Sequence, residues 1–329
     1  MSDITTTIYP TLTLADPFQE RLQQVETLLD VQVADEYSSL ALALRQLIRA
    51  GGKRIRPRLV LLTGSLLGAD PKRLVHLAAA VEMLHTATLV HDDLIDESVL
   101  RRGMETLNVQ WTPAATVLAG DFAFTRAAEL VAAADSTAVM HLFAESMAVM
   151  VAGEMSQLLR ERGIASREEY YNWIGAKTAA LFELATGAAA RLGQAGAKSI
   201  DAARRFGHEI GMAFQIMDDV LDFTGNPVTL GKPVGSDLRQ GAVTLPALYY
   251  LEAHPDDPAL GALIAHKRSD EHSLKRLLAA IRESGAIQSA LAEAQTFVER
   301  GLEALASLPS GPERFALEEI ARAIVKRES

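Results

Sequence analysis

The feature that most constrains the fold is a series of long apolar stretches in which alanine and leucine predominate. Both residues favour helix over strand, and here they recur with helical periodicity. The predicted helical stretches are 40–50, 72–97, 114–134, 137–160, 168–192, 200–223 and 286–308. We find no convincing alternating strand, no fixed-period repeat and no low-complexity tract, so we predict an all-α fold.

Helix start signals precede several of these stretches. Pairs that place a capping side chain before a first-turn proline are Asp16-Pro17, Asp70-Pro71 and Thr112-Pro113. Ser166 and Glu169 have the spacing of a capping box, and Ser310 is a candidate cap for the last helix. These signals support helices that begin at defined residues.

Composition narrows the functional classes. The chain has 329 residues, but no Pro/Gly/Ser-rich linker divides it, so we predict one all-α domain over residues 1–329. A net charge of -10 argues against a nucleic acid as the partner. The absence of cysteine excludes disulfide frameworks, thiolate metal sites and cysteine nucleophiles.

No segment reads as a membrane span or an export signal. The longest stretch without charge, residues 106–120, is short and is interrupted by Trp111 and Pro113. The N-terminus lacks the basic start and apolar run of a signal peptide. We therefore predict a cytoplasmic protein without a transmembrane segment.

The first acidic cluster ends an apolar, alanine-rich stretch. Asp92 and Asp96 are four residues apart and would share one helix face, which His85 and Thr88 extend upstream. Like charges at this spacing destabilise a helix, and a hard cation such as Mg²⁺ would offset their repulsion. For this cluster alone, a solvated acidic face near a helix end is the alternative interpretation.

The same pattern occurs a second time. Asp218 and Asp222 are again four residues apart at the end of an apolar stretch, and Gln215 lies one turn earlier. Two DDxxD clusters are hard to explain as solvated surface, because both adjoin apolar helices. They suggest two carboxylate walls facing each other across a cavity and bridged by several metal ions.

Basic residues accompany the acidic clusters. Those singled out are Lys53, Arg54, Arg56, Arg101, Arg102, Lys177 and Lys232, the last in a glycine-rich loop over 225–241. Surface ion pairs are the alternative interpretation. A diphosphate site explains more of the pattern, since arginine and lysine bind phosphate and a metal joins phosphate to carboxylate.

Several motifs together resemble the trans-prenyl diphosphate synthases. They are GGKRIRP, HDDLIDES followed by LRRG, GDF, KTAALF, and FQIMDDVLDF followed by GKPVGSDL, in the family's order over about residues 40–251. The stretch HTATLVHDD is most similar to bacterial long-chain octaprenyl- or solanesyl-type enzymes. The resemblance implies a helical bundle around a deep central cavity, the isoprenoid-synthase fold, usually as a homodimer.

The resemblance also implies a reaction with Mg²⁺ as cofactor. An allylic prenyl diphosphate ionises, and the double bond of isopentenyl diphosphate attacks the cation before a proton is lost. Metal ligands implied by the motifs are Asp92, Asp96 and Asp218, with Asp93, Asp219 and Asp222 as ligands or outer-shell partners. Thr178 and Gln215 would direct oxygen dipoles at the cation.

The diphosphate-binding residues follow from the same motifs. Lys53, Arg56, His85 and Arg102 would hold isopentenyl diphosphate, and Arg101, Lys177 and Lys232 the allylic diphosphate. Outside the motif, a hydrogen-bonded core histidine would be the better interpretation of His85. Asp121, in GDF, would either orient a nearby basic group or cap a helix.

Product length depends, in this family, on side chains above the first acidic cluster. Ala87 and Thr88 are small and would leave the tunnel open. Phe143 is the candidate floor, with Val131, Met140 and Met147 beside it; ordinary core packing is the alternative. By resemblance to long-chain members of the family, such a floor would suit a product of about seven to nine isoprene units, as for quinone side chains.

One departure from the family pattern leaves alternatives open. Ala242 stands where members usually carry lysine, which removes one expected charge near the phosphates. The alternatives are a geranylgeranyl diphosphate synthase, a non-catalytic subunit of a heteromeric synthase, and a helical protein that merely binds calcium or magnesium. A transient membrane contact for product release is a further expectation.

Overall fold

The computed structural model describes residues 16–33, 38–49, 53–101, 103–159, 166–225, 234–257 and 271–326. Helices dominate this part of the chain, which confirms the all-α class. The helices are α1 (Asp16–Gln32), α2 (Ser38–Arg49), α3 (Ile55–Leu66), α4 (Pro71–Ile95), α5 (Leu107–Gln110), α6 (Pro113–Ala133), α7 (Thr137–Leu158), α8 (Arg167–Ile174), α9 (Ala180–Leu192), α10 (Ala197–Thr224), α11 (Ser236–Arg239), α12 (Leu245–Ala253), α13 (Glu271–Glu283), α14 (Ala286–Ala306) and α15 (Pro312–Val325).

Two short strands follow α4. β1 (Leu100–Arg101) pairs antiparallel with β2 (Met104–Glu105), with Leu100 opposite Glu105. The connection includes Gly103 at a φ of 77°, a left-handed conformation that glycine adopts readily. Such a two-residue ladder is too short to produce an alternating pattern, so the sequence did not predict it.

The chain divides into two compact units, each built from separate segments. The first unit contains Met1–Met147, Leu181–Gly207 and Leu302–Ile320. The second contains Ala148–Ala180, His208–Gly301 and Ala321–Ser329. Helices such as α7 and α10 run from one segment into the next. The single domain predicted over residues 1–329 stays a prediction.

In the first unit, α4 is the central helix. It packs along α6 and also contacts α3 and α1. The Asp70 side chain caps it by accepting bonds from Lys72 N and Arg73 N, and Pro71 occupies the first turn, as predicted. Residues 77–81 are buried around the whole helix, which is the pattern of a core helix.

Two other predicted caps are confirmed. Thr112 accepts a bond from Ala115 N at the start of α6, and Ser166 and Glu169 form a reciprocal capping box at the start of α8. The last helix begins at Pro312, so Ser310 lies outside its first turn. Side-chain capping therefore fixes where α4, α6 and α8 begin.

In the second unit, α10 is joined to its neighbours by hydrogen bonds near its end. Arg282 Nε, in α13, donates to Phe223 O at 2.6 Å. Elsewhere in this unit, α12 contacts both α8 and α13, and Tyr249 donates to Glu293 in α14 at 3.1 Å. The bond from Arg282 holds the C-terminal end of α10 against α13.

Two helices are long and apolar enough to cross a membrane, by length and composition only. The sequence prediction overlooked both because it searched for stretches without charge. In α4, 72% of the most apolar window is buried, which is the behaviour of a core helix. In α7 the corresponding value is 28%, so this helix presents much apolar surface.

Candidate active site

The first acidic cluster occupies the C-terminal end of α4. Asp92 and Asp93 lie in the last turns and Asp96 is the C-cap, with Asp96 N donating to Asp92 O at 2.8 Å. Asp96 is exposed and Asp92 half-buried, as expected for side chains on one face. Because the helix dipole places partial negative charge at this end, three carboxylates here favour binding of cations.

Asp93 differs from its two neighbours, because it is buried and pairs with Arg101. Arg101 Nε lies 2.8 and 2.9 Å from the two carboxylate oxygens, and Nη2 lies 2.7 Å from Oδ1. The pair ties β1 to the acidic end of α4. Arg101 was predicted to hold a diphosphate; its other terminal nitrogen, Nη1, is not part of this pair.

The basic motif before α3 separates into two kinds of residue. Arg54, at a φ of 47°, turns inward and bonds Glu26, Glu82 and the backbone oxygen of Ile48. Its side chain is 11% exposed, so Arg54 is a half-buried structural residue that joins α1, α3 and α4.

The other two basic residues of the motif remain candidates for binding diphosphate. Lys53 is exposed. The Arg56 guanidinium lies 4.7 Å from the centroid of the Phe182 ring, a cation–π contact that fixes its orientation.

The residues proposed to set product length also lie in the first unit. Ala87 is fully buried, and Thr88 donates its hydroxyl to His85 O at 2.8 Å. The half-buried His85 side chain lies on the same helix. Phe143 is 1% exposed, which agrees with a tunnel floor and with ordinary core packing alike, so the floor role stays a prediction.

The structure explains two residues of the GDF motif, Gly120 and Asp121. A side chain at Gly120 would clash with the His91 ring, so glycine lets α6 approach the helix that bears the acidic cluster. His91 Nε2 lies 3.1 Å from Val117 O and 3.6 Å from Asp121 Oδ1. Asp121 is inside α6, so it does not cap a helix, and its contact with His91 agrees with the interpretation that it orients a basic group.

The second unit positions its candidates on a π-helical turn. Gly175–Ala179 forms this turn between α8 and α9, where the sequence predicted one continuous helix. Such turns are frequent at functional sites. The turn carries Lys177, whose Nζ lies 2.8 Å from Glu154 Oε1, so the proposed diphosphate ligand is paired in this structure.

Thr178, on the same turn, begins a line of hydrogen bonds. Its hydroxyl donates to Gln215 Oε1 at 2.6 Å, and Gln215 Nε2 donates to Asp219 Oδ1 at 2.9 Å. Tyr170 Oη donates to the other oxygen, Asp219 Oδ2, at 2.5 Å. We call these four residues the Tyr170–Thr178 relay; the sequence predicted three of them but not Tyr170.

Burial governs the ionisation of the relay. It raises the pKa of Asp219 well above its usual value; nearby Asp237 adds to this effect, and the bonds from Tyr170 and Gln215 oppose it. Burial, followed by the Asp219 carboxylate, also raises the pKa of the Tyr170 phenol well above its usual value. Tyr170 therefore keeps its proton and acts as a donor.

The other two aspartates of the second cluster differ in exposure. Asp222 is fully buried; Ser236 Oγ donates to its Oδ1 at 3.0 Å and Asp237 N to its Oδ2 at 3.2 Å. Asp218 is half-buried. These contacts suit an outer-shell role for Asp219 and Asp222, which the sequence left open, and make Asp218 the candidate ligand.

The donor set can be compared with what a metal requires. Among the described residues, no three histidine or carboxylate side chains are grouped closely enough to bind a metal by themselves. Mg²⁺ usually takes one or two carboxylates plus water and substrate phosphates, so it does not require such a group. Two predicted residues, Arg102 and Lys232, lie outside the described residues.

Comparison with known proteins gives consistent matches. Residues 38–281 match the family described as Polyprenyl synthetase. The heptaprenyl diphosphate synthase component 2 of Geobacillus stearothermophilus is 36% identical over 93% of this chain and 96% of its own length. The octaprenyl diphosphate synthase of Escherichia coli K12 is 34% identical over 86% of this chain and 88% of its own.

A solved structure supports the same match. It is the crystal structure of polyprenyl synthase from Caulobacter crescentus CB15 complexed with calcium and isoprenyl diphosphate. The TM-score is 0.90 at 36% identity, over 94% of this chain and 96% of the other. Similarity therefore extends over nearly the whole length in both sequence and fold.

Proposed function

Because this chain belongs to the polyprenyl synthetase family and is a chain-elongating prenyl diphosphate synthase, we propose that it condenses farnesyl or geranylgeranyl diphosphate with isopentenyl diphosphate. The observation that carries this proposal is the repeated acidic helix end. Asp92 and Asp96 end α4, and Asp218 lies near the end of α10, each beside a buried and hydrogen-bonded aspartate.

The proposed reaction balances without a protein nucleophile. The C–O bond of the allylic diphosphate breaks, and pyrophosphate leaves with the electron pair. The double bond of isopentenyl diphosphate then forms a C–C bond to the allylic carbon. A proton is lost to the pyrophosphate, which leaves a new double bond and a chain longer by one isoprene unit.

Magnesium is the proposed cofactor, held by Asp92, Asp96 and Asp218. When bound, it would neutralise the negative charge that develops on the leaving pyrophosphate. The protein's part is to orient these carboxylates. Arg101 contributes by neutralising Asp93, which lowers the repulsion among the carboxylates that end α4.

The cationic residues bind and orient the diphosphates in this proposal. Lys53, Arg56, His85 and Arg102 would bind isopentenyl diphosphate, and Arg101, Lys177 and Lys232 the allylic diphosphate. For Lys177 this requires exchanging its contact with Glu154 for phosphate. Thr178 donates its proton to Gln215, which leaves its oxygen lone pairs to stabilise positive charge on the allylic carbon.

The product is proposed to be an all-trans chain of about seven to nine isoprene units, because the small Ala87 and Thr88 leave room for a long apolar pocket. The fully buried Phe143 would then form the floor. We propose quinone side chains as the use of this product. A cytoplasmic enzyme would contact a membrane only transiently, when it releases the insoluble chain.

A homodimer is the proposed active form. The exposed apolar side chains of α7 include Met140, Val149, Val151, Met155 and Leu158, on a helix whose most apolar window is only 28% buried. Burying such a surface against a second copy would be favourable. Although the Geobacillus relative is named a component of its synthase, both acidic clusters are intact here.

The test is a product assay on the purified chain alone with farnesyl diphosphate, isopentenyl diphosphate and Mg²⁺. We expect turnover and a long-chain product in chromatography, with a dimer in analytical ultracentrifugation. A product that stops at geranylgeranyl diphosphate would favour the shorter-chain alternative. The absence of turnover with any allylic primer would overturn the proposed reaction.

A further inference from the structure

Tyr170 is a buried residue outside every motif that the sequence analysis assigned to the reaction. It lies in α8, is 2% exposed, and its hydroxyl bonds Asp219 Oδ2 at 2.5 Å. We propose that Tyr170 is a positioning residue, which holds the Tyr170–Thr178 relay in the orientation that the second acidic cluster needs. This inference rests on the proposed function and adds a residue to it.

The hydroxyl of Tyr170 is held in place by its surroundings. The capping box of Ser166 and Glu169 fixes the first turn of α8, and Tyr170 N donates to Ser166 O at 3.0 Å. The ring makes edge contacts with Tyr171 and Trp173, at centroid distances of 5.5 and 6.4 Å. A buried ring in this setting has little freedom, so its hydroxyl is a fixed donor.

Asp219 depends on that donor. It is 2% exposed, and the two bonds described for its carboxylate come from Tyr170 and Gln215. A buried carboxylate oxygen that loses its donor costs free energy and tends to rotate or admit water. Without the Tyr170 hydroxyl, the bond from Gln215 would be the remaining described bond to the Asp219 carboxylate. If that carboxylate rotated, the Gln215 amide would rotate with it.

The effect would reach groups that take part in the proposed reaction. Gln215 accepts the proton of Thr178, so a shift of the amide changes where the Thr178 oxygen points. Asp218, the proposed metal ligand, is the residue next to Asp219 on α10. Tyr170 thus acts on the allylic side of the reaction through residues it supports, without contacting substrate itself.

The experiment compares Tyr170→Phe with Tyr171→Phe. Each removes one hydroxyl from α8, but the half-buried Tyr171 lies outside the relay and packs toward Phe297 at 6.1 Å. Turnover is normalised to the folded fraction measured by circular dichroism. Outer-shell changes of this kind typically cost about ten- to a hundredfold in metal affinity or activity.

For Tyr170→Phe we expect kcat to fall about tenfold or more and half-saturating Mg²⁺ to rise several-fold. KM for isopentenyl diphosphate should stay within about twofold, since a positioning loss acts on the transition state and not on uniform binding. Tyr171→Phe should resemble the wild type. Unchanged kcat and Mg²⁺ dependence in folded Tyr170→Phe would overturn the inference, as would activity lost only in proportion to folded protein.

A second readout separates this inference from the proposed function. Mg²⁺ with inorganic pyrophosphate should raise the melting temperature of the wild type, because a ligand that binds only the folded state stabilises it. We expect a smaller rise for Tyr170→Phe than for Tyr171→Phe. An inactive wild type with this pattern would defeat the proposed reaction alone; equal rises in both variants would defeat the role of Tyr170.

Discussion

At the end of α4 the buried Asp93 is held by a guanidinium, whereas at the end of α10 the buried Asp219 and Asp222 accept hydrogen bonds from uncharged donors. The first arrangement is an ion pair with Arg101, whose side chain is 30% exposed. The second uses a phenol, an amide, a hydroxyl and a backbone N–H. One sequence pattern is thus supported by two kinds of chemistry, which should respond differently to mutation and salt.

The largest effect should come from the half-buried aspartates, where we expect the two ends to behave alike. Asp92→Asn and Asp218→Asn keep side-chain size but remove the charge that we propose holds a metal. Each should lower kcat by about 10²–10³-fold, the usual effect of losing one charge-stabilising group. Asp201→Asn, exposed on α10, is the matched control. Wild-type turnover in either variant would show that the acidic cluster carrying that substitution does not belong to the active site.

Product length should distinguish the two units next, because its proposed determinants lie only in the first. Phe143→Ala should lengthen the product and destabilise the fold by about 3–5 kcal/mol, since a large buried side chain leaves a cavity. Phe206→Ala removes an equally buried ring from the same unit and should cost similar stability without lengthening the product. Identical product distributions in both variants would refute the floor.

The free energy of unfolding should show directly how much the hydrogen bonds at the end of α10 stabilise the protein. Asp222→Ala leaves Ser236 Oγ and Asp237 N without their acceptor, so we expect a loss of about 1–3 kcal/mol. Urea unfolding measures it, with Ser236→Ala, which removes one donor only, as the milder control. A loss no greater than that of Ser236→Ala would mean that the buried carboxylate contributes little.

The smallest loss of stability is expected at the C-terminal end of α4. Asp93→Asn breaks the pair with Arg101, but a guanidinium that is 30% exposed can be hydrated, so the loss should stay below about 1 kcal/mol. High salt should reduce it only modestly, because an ion pair with a buried partner is screened less than an exposed one. Urea titrations at low and high NaCl would check this. A cost as large as that of Asp222→Ala would contradict the contrast with Asp222.

The parts that the sequence predicted correctly follow from local rules. Asp70, Thr112 and Ser166 cap their helices because each precedes a helical stretch at the proper spacing. The acidic helix ends were found for the same reason, since residues four apart share a face whatever surrounds the helix.

The parts that the sequence missed depend on tertiary contacts. Arg54 and Arg56 stand two residues apart in one basic motif, yet Arg54 turns inward to Glu26 and Glu82. The inward orientation of Arg54 depends on the packing of α1 and α4 around the residues that precede α3. Tyr170 bonds Asp219 across 49 residues of sequence, so no local pattern could connect them. A tyrosine after a capping box signals a helix, and nothing more.

The π turn at Gly175–Ala179 has a consequence for how this chain tolerates insertion and deletion. An ordinary α-helix advances about 100° per residue, and the wider π turn advances less, so its five residues wind through roughly the angle of four α-helical ones. If these five residues wound as an ordinary α-helix, α9 would be rotated by roughly 100°, with Leu184 and Ala188 out of phase with the core that buries them. Deleting one residue from the turn should instead leave α9 in phase, so the π turn accommodates an extra residue beside Lys177 and Thr178 without turning the packed face of α9 away from its core.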